Sequence, residues 1–165
     1  MRVVTLVCLG LLASLWFVAE AAAIDSVVKI GKQPRVAGTV KAVTATDVTV
    51  DAQGKMEKIP VTDLEWIEYE GEPSELKLAR GALKSGGDQN AILQLEKIKQ
   101  ETVTRKEIRQ DLAFYHAQAQ ARLALRGAGD VKKAGAAMYD FTSKNPDNYN
   151  FLQAKEIIGD LFVAD

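Results

Sequence analysis

The stretch Trp66-Ile67-Glu68-Tyr69-Glu70-Gly71-Glu72-Pro73-Ser74-Glu75-Leu76-Lys77-Leu78-Ala79-Arg80 is where the chain changes period. Before Gly71 short β-branched and aromatic runs alternate with polar residues, the repeat of a half-buried strand. After Pro73, the residues Leu76, Ala79 and Leu83 fall on one face of a helix. Gly71 and Pro73 punctuate the change. Strands first and helices second predict an α+β chain.

Upstream of the switch, five short strands are expected between Ser26 and Glu70. Val27-Val28-Lys29-Ile30 makes the first, ended by a turn over Gly31 to Pro34. Val36, Gly38, Val40 and Val43 mark the second, with Thr39 and Lys41 on its other face. Val48 and Val50 mark the third, and Asp51-Ala52-Gln53-Gly54 supplies a hairpin turn. Met56 to Ile59 makes the fourth, and Trp66, Ile67 and Tyr69 the fifth. Pro60 has no amide to give a ladder, so it belongs at a strand end or edge. So small a unit reads as a strongly bent sheet or a five-strand barrel. It is near the lower limit for standing alone, and packing against the helical half is expected.

Downstream, Ser85-Gly86-Gly87 stops the first helix as a C-cap. Asp88 is the expected N-cap of the next, whose stripe is Ala91, Ile92, Leu95 and Ile98. Thr104-Arg105-Lys106-Glu107 reads as a capping box. It opens a long helix with Ile108, Leu112, Tyr115, Ala119 and Leu123 on one side. Gly127-Ala128-Gly129 ends that helix, and Asp130 caps another carrying Val131, Ala134, Met138 and Phe141. Asn145-Pro146 stops it, and Asn150 opens a last helix with Ala154, Ile157, Ile158, Leu161 and Phe162. Short turns make antiparallel helical hairpins the expectation, 74–85 with 89–100 and 105–126 with 131–143. The last helix lacks a hairpin partner. Ile157, Ile158, Leu161 and Phe162 are therefore the candidate exposed apolar face.

The first 23 residues are of another kind. Arg2 precedes an apolar run from Val3 to Ala19, and Ala21-Ala22-Ala23 supplies the small residues of a cleavage site before Ile24. That order is a secretory signal peptide, predicting export to a periplasm or the extracellular space. The competing reading is an uncleaved membrane anchor over residues 3–19. Three regions follow: signal peptide 1–23, small β module 24–72, and helical region 73–165. Cys8, the single cysteine among the 165 residues, lies inside the apolar run, so the mature chain is left to fold without disulfides or thiolate chemistry.

The helical half resembles the tetratricopeptide repeats, paired helices stacked into a superhelix. Leu78-Ala79, Gly86 and Ala91 follow the family's spacing of a large-small pair, a turn glycine and an early alanine. Gly129, Ala134 and Pro146 follow its turn glycine, alanine and closing proline, and Ile158-Gly159 with Phe162 looks like the start of a further unit. The resemblance covers Ser74 to Asp165 and implies the beginning of an α-solenoid in a bacterial cell-envelope protein, cut off in the middle of a unit. Leu78, Ala79, Gly86, Ala91, Gly129, Ala134, Pro146 and Gly159 would then be the repeat-packing positions. Without the resemblance, the same stripes describe a small helical bundle. The β module is similar to the Sm-like five-strand barrels in its Gly38 and Ile59-Pro60-Val61. At the positions of the family's RNA contacts, however, stand Thr44-Ala45-Thr46-Asp47 and Glu70-Gly71-Glu72.

Composition and charge narrow the function. With 21 basic and 22 acidic residues, 47% hydrophobic and 26% charged, the balance gives no electrostatic reason to expect nucleic acid, whose binding needs a basic face. It gives no polybasic anchor for membranes either, so membrane attachment is expected only if the signal is uncleaved. His116 is the single histidine; a catalytic role would need it pocketed with two or more carboxylates. Glu65, Glu68, Glu70, Glu72 and Glu75 read as a solvated acidic run, and Arg105, Lys106, Arg109, Arg122 and Arg126 as a solvated helix face. No cofactor, metal or catalytic residue is expected. The function that remains is a non-enzymatic exported scaffold, whose helical groove binds a protein or peptide partner. The alternative is a structural envelope protein that self-assembles, as a homo-oligomer, through the uncovered C-terminal helix.

Overall fold

A computed structural model of the chain describes residues 24–31 and 33–164. The expected signal peptide lies outside the described residues. The strands are β1 (Asp25–Lys29), β2 (Val36–Val43), β3 (Asp47–Ala52), β4 (Lys55–Pro60) and β5 (Leu64–Glu68). Five helices follow: α1 (Ser74–Lys84), α2 (Asp88–Leu95), α3 (Lys106–Leu125), α4 (Val131–Lys144) and α5 (Phe151–Ala164). The molecule is α+β, with its antiparallel sheet preceding its helices.

All sheet neighbours are antiparallel, in the order β4-β3-β2-β1-β5. Gln53 and Gly54 both have positive φ (57° and 85°), and the Gly54 amide donates to Asp51 Oδ1 at 2.8 Å. This is the tight hairpin that joins β3 to β4. Register slips at Val28/Lys29 and between Val40 and Ala42 bend the sheet. Gly38 is required where β2 crosses β3, because a Cβ there would lie 2.3 Å from the Asp51 carbonyl oxygen.

The expected barrel does not close. β4 and β5 are the two ends of the order, joined by a 3-10 turn over Val61–Asp63. That turn carries the chain across to the far side of β1, where Val27 pairs with Ile67. The sheet is open, and one of its faces is covered from elsewhere. Val27, Val48, Val50, Ile59 and Ile67 share a single core with Leu76, Ala79, Leu95, Ile108, Leu112 and Phe114 of the helices.

α1 and α3 end as the glycines direct. Gly86 and Gly127 take positive φ, and paired amide bonds close each end: Gly86 to Leu83 and Gly87 to Ala82, then Gly127 to Ala124 and Ala128 to Leu123. Asp130 caps α4 by accepting from the Lys133 amide at 3.0 Å. Two expected caps are not formed. α3 starts one residue after Arg105, and no side chain caps it; the Arg105 guanidinium reaches Glu107 at 3.3 Å instead. Gly87 stands at the head of α2, and the Asp88 carboxylate turns to arginines of α3. α2 also ends at Leu95 rather than near residue 100, and Ile98 is buried from a non-helical turn.

Each helix packs on the next, and α3 touches α1, α2, α4 and α5. The tetratricopeptide resemblance is corrected. α1, α2, α3 and α4 have 11, 8, 20 and 14 residues, so no common unit repeats. Leu78, Pro146 and Gly159, which a repeat would pack, are exposed.

The close crossing at Gly38 generates a test. Gly38→Ala is expected to lower stability by about 1–3 kcal/mol, read as an earlier urea midpoint at unchanged slope. An unaltered midpoint would mean that β2 and β3 do not approach this closely.

Candidate functional site

α4 and α5 build the surface that the sequence marked only in part. Ala134 on α4 and Leu161 on α5 are buried together with Ala121 and Ala124 of α3, a small cluster separate from the main core. Small residues let the three helices approach, and Ile157 packs against both clusters. The expected exposed face is therefore split. Leu161 is 2% exposed and Ile157 and Ile158 are half-buried, while Phe162 is 84% exposed and Val163 beside it 88%. The last helix is not unpartnered, since Ala154 and Leu161 bury one side of it.

Beside that cluster, α4 and α5 enclose a shallow apolar cleft of about 300 Å³. Val131, Gly135, Ala136 and Tyr139 form one wall, and Ile158, Leu161 and Phe162 the other. Tyr139 is 64% exposed and projects at its rim. Of the α4 wall the sequence reading took in Val131 alone, as part of the core stripe, and the rest of the wall escaped it. Its signal was present as a second stripe, Val131, Gly135 and Tyr139 at i, i+4 and i+8, next to the core stripe of Ala134, Met138 and Phe141.

The other candidate positions scatter. Ala79 and Ala91 are fully buried in the main core. Gly86 serves the turn after α1, and Gly129 lies against the α3 backbone, where a Cβ would stand 3.0 Å from the Ala124 nitrogen. A Cβ at Gly159 would meet nothing within 4 Å. These residues shape the fold and do not converge on one site. His116 lines a cleft of about 340 Å³ with Leu95, Leu112, Phe141 and Asp140. Asp140 is the one carboxylate there, and it accepts from Lys144 at 2.8 Å.

Sequence reasoning also missed the charged groups inside. Asp25, at the start of β1, is buried and accepts four hydrogen bonds. Two come from the Val40 and Glu70 amides at 2.9 Å each, and two from Arg105 at 2.6 and 2.9 Å. Burial alone would raise its pKa; the Arg105 guanidinium and the two amides outweigh that and hold the carboxyl below the usual range. Arg105 also lies over the Tyr69 ring, 4.6 Å from its centroid. Arg80 of α1 is buried, donates to the Ile67 carbonyl at 3.0 Å, and pairs with Glu72. Asp88 is buried between Arg122 and Arg126 at 3.1 and 2.9 Å, ion pairs rather than aligned hydrogen bonds. The same arginines donate to the Leu83 and Gly86 carbonyls, fixing the α1–α2 turn onto α3.

The acidic run and the basic helix face are thus not simply solvated. Glu65 pairs with Lys84, Glu68 with Arg35 and Glu72 with Arg80. Among the described residues no three His, Cys, Asp or Glu side chains are grouped to hold a metal ion, and no helix is long and apolar enough to cross a membrane. No protein-family model matches the chain, and no curated protein or solved structure matches it either. The tetratricopeptide and Sm-like resemblances are withdrawn on that ground as well as on the open sheet.

Asp25 gives the sharpest test of the joint. Asp25→Ala is expected to cost about 3 kcal/mol in urea denaturation at pH 7, the lower end for breaking a buried pair, because Arg105 keeps some solvent. A carboxyl held low stabilises the fold above about pH 4 and loses that contribution as pH falls through its depressed value. The gap between variant and native protein should therefore narrow in acid. A gap that stays constant would remove Asp25 from the joint.

Proposed function

We propose that the chain is an exported, non-enzymatic binding protein that takes a protein or peptide partner in the cleft between α4 and α5. The observation that carries this reading is the pairing of Tyr139 and Phe162, both exposed, across an apolar cleft of about 300 Å³. Isolated exposed apolar residues are ordinary, but a contiguous patch with aromatic rims is the composition of protein-docking surfaces. Aromatic side chains also supply large contact area for little conformational entropy. The non-catalytic part of the proposal rests on the single histidine, which shares its cleft with one carboxylate.

Export rests on the order of Arg2, the apolar run Val3–Ala19 and Ala21-Ala22-Ala23. If it holds, N-terminal sequencing of the protein recovered outside the cytoplasm begins at Ile24. A retained Met1 on membrane-bound protein would replace the cleaved signal with an anchor.

The nearly full exposure of Phe162 and Val163 at the end of α5 favours a second reading, self-assembly through that helix. One substitution addresses both. Phe162→Asp should weaken peptides selected on the full-length mature protein by display at least about tenfold. It should leave thermal stability within about 0.5 kcal/mol, as surface changes do. Light scattering on the same samples decides the rival: native oligomers that dissociate in the variant would put self-assembly in place of partner binding. Peptides held equally by both forms would move the docking surface off α5.

A further inference from the structure

One carboxylate deep in the molecule has more acid around it than base. Asp111 of α3 is fully buried. Its Oδ2 accepts the Tyr149 hydroxyl at 2.8 Å and lies 3.5 Å from the Arg80 guanidinium, while Asn150 reaches Oδ1 at 3.5 Å. The charged and hydroxyl groups facing it come from four parts of the chain. Tyr69 and Glu72 come from the segment after β5, Arg80 from α1, Tyr115 from α3 itself, and Tyr149 and Asn150 from the turn before α5. Arg80 is the one cation in direct contact, and it is already paired with Glu72. Its charge cannot balance both carboxylates. With Glu72 ionised, the cluster is neutral only when Asp111 is protonated.

The connections make this charge count mechanical. Arg80 links Glu72 and the Ile67 carbonyl of β5 to Asp111. Tyr149 and Asn150 link the start of α5 to the same carboxyl. Both of these residues also line a cleft of about 420 Å³ between α5 and the Val61–Leu64 end of the sheet.

We propose that Asp111 is a proton-operated latch that holds the start of α5 and the edge of the sheet onto α3, closed while its carboxyl is protonated and slackened when it ionises. Burial pushes this carboxyl up to about 7, against the pull of Arg80 and the Tyr149 hydroxyl. The folded protein keeps the proton to near neutrality, whereas the unfolded chain releases it near pH 4. The group's contribution to stability is therefore fully present below about pH 4 and is lost progressively as pH climbs from there through about 7. Ionisation leaves an extra buried negative charge, and the least costly response is to part the Tyr149–Asn150 turn from α3 and admit water.

Hydrogen exchange of residues 149–158 in the full chain, corrected for intrinsic rates, tests the latch between pH 5 and pH 8.5. The native protein should show opening that increases by about tenfold or more across neutrality. Asp111→Asn, which keeps the shape and removes the titration, should flatten that dependence. Glu72→Gln removes the competing carboxylate and leaves Arg80 free for Asp111. It should shift the midpoint down by about one unit or more, a change that a purely structural role would not produce. Should Asp111→Asn fail to fold, the Glu72→Gln shift and the carboxyl chemical shift of Asp111 in the native protein decide alone. A flat native profile, a slope that survives in Asp111→Asn, or an unmoved midpoint in Glu72→Gln overturns the proposal.

Discussion

The structure depends on charge pairs that join a small open sheet to a helical layer. Asp25 with Arg105, and Glu72 with Arg80, sit where β1 and the segment after β5 meet α1 and the start of α3. Such pairs add little net stability, because removing two charges from water costs about as much as their attraction returns. Their effect is on choice. A docking that kept Asp25 or Arg80 buried but parted it from its partner would cost several kcal/mol. The apolar core gives the adhesion and the ion pairs set the register. The two act at one place, since Ile67 packs in the core while its carbonyl accepts from Arg80.

α3 is the element on which this joint rests, and its sequence reflects the position. Its buried residues include Ile108, Leu112, Phe114, Tyr115, Ala117, Ala119, Ala121 and Ala124, which are spread around the helix rather than on one stripe. A helix touched by four others has no single solvent face to keep polar. The aromatic half, where Phe114 meets Tyr115 and Phe141 at 5.3 Å each, fills the wider space near the sheet. The alanine half allows α4 and α5 to close in at the other end.

The period switch at Gly71 to Pro73 made the order of strands and helices legible in the sequence, and the glycine stops at 86 and 127 were legible for local reasons. Closure of the sheet was not. It turns on whether β4 meets β5, and a three-residue 3-10 turn sends β5 to β1 instead. Alternation of period two carries no information about which strands are neighbours. The charges failed for a different reason. Arg105 finds Asp25 80 positions away, and Arg126 reaches from the end of α3 back to Asp88. A reading of local charge runs sees only neighbours in sequence, so it assigned Arg105 and Arg126 to solvent, took Asp88 for a helix cap and passed over Asp25. Phe162 was named only with Ile157, Ile158 and Leu161, as one face of a helix read as lacking a hairpin partner, and the stripe alone does not separate the buried Leu161 from the exposed Phe162; Tyr139 was hidden by the stronger core stripe beside it.

α5 is held at two ends by different physics. Near its start, Tyr149 and Asn150 bond to Asp111, and Ala154 enters the main core. Farther along, Leu161 joins three alanines in a cluster of only four residues, with Ile157 bridging the two. A helix whose distal half is secured by so little buried area opens more readily there than at its root. The exposed Phe162 and Val163 sit on that distal half, and loosening the root would loosen the α5 wall of the α4–α5 cleft. Contacts made by a partner with that wall would in turn favour the closed root, because binding to one conformation stabilises everything that conformation requires. On the two proposals above, proton uptake at Asp111 and occupation of the cleft would act on the same helix in the same direction.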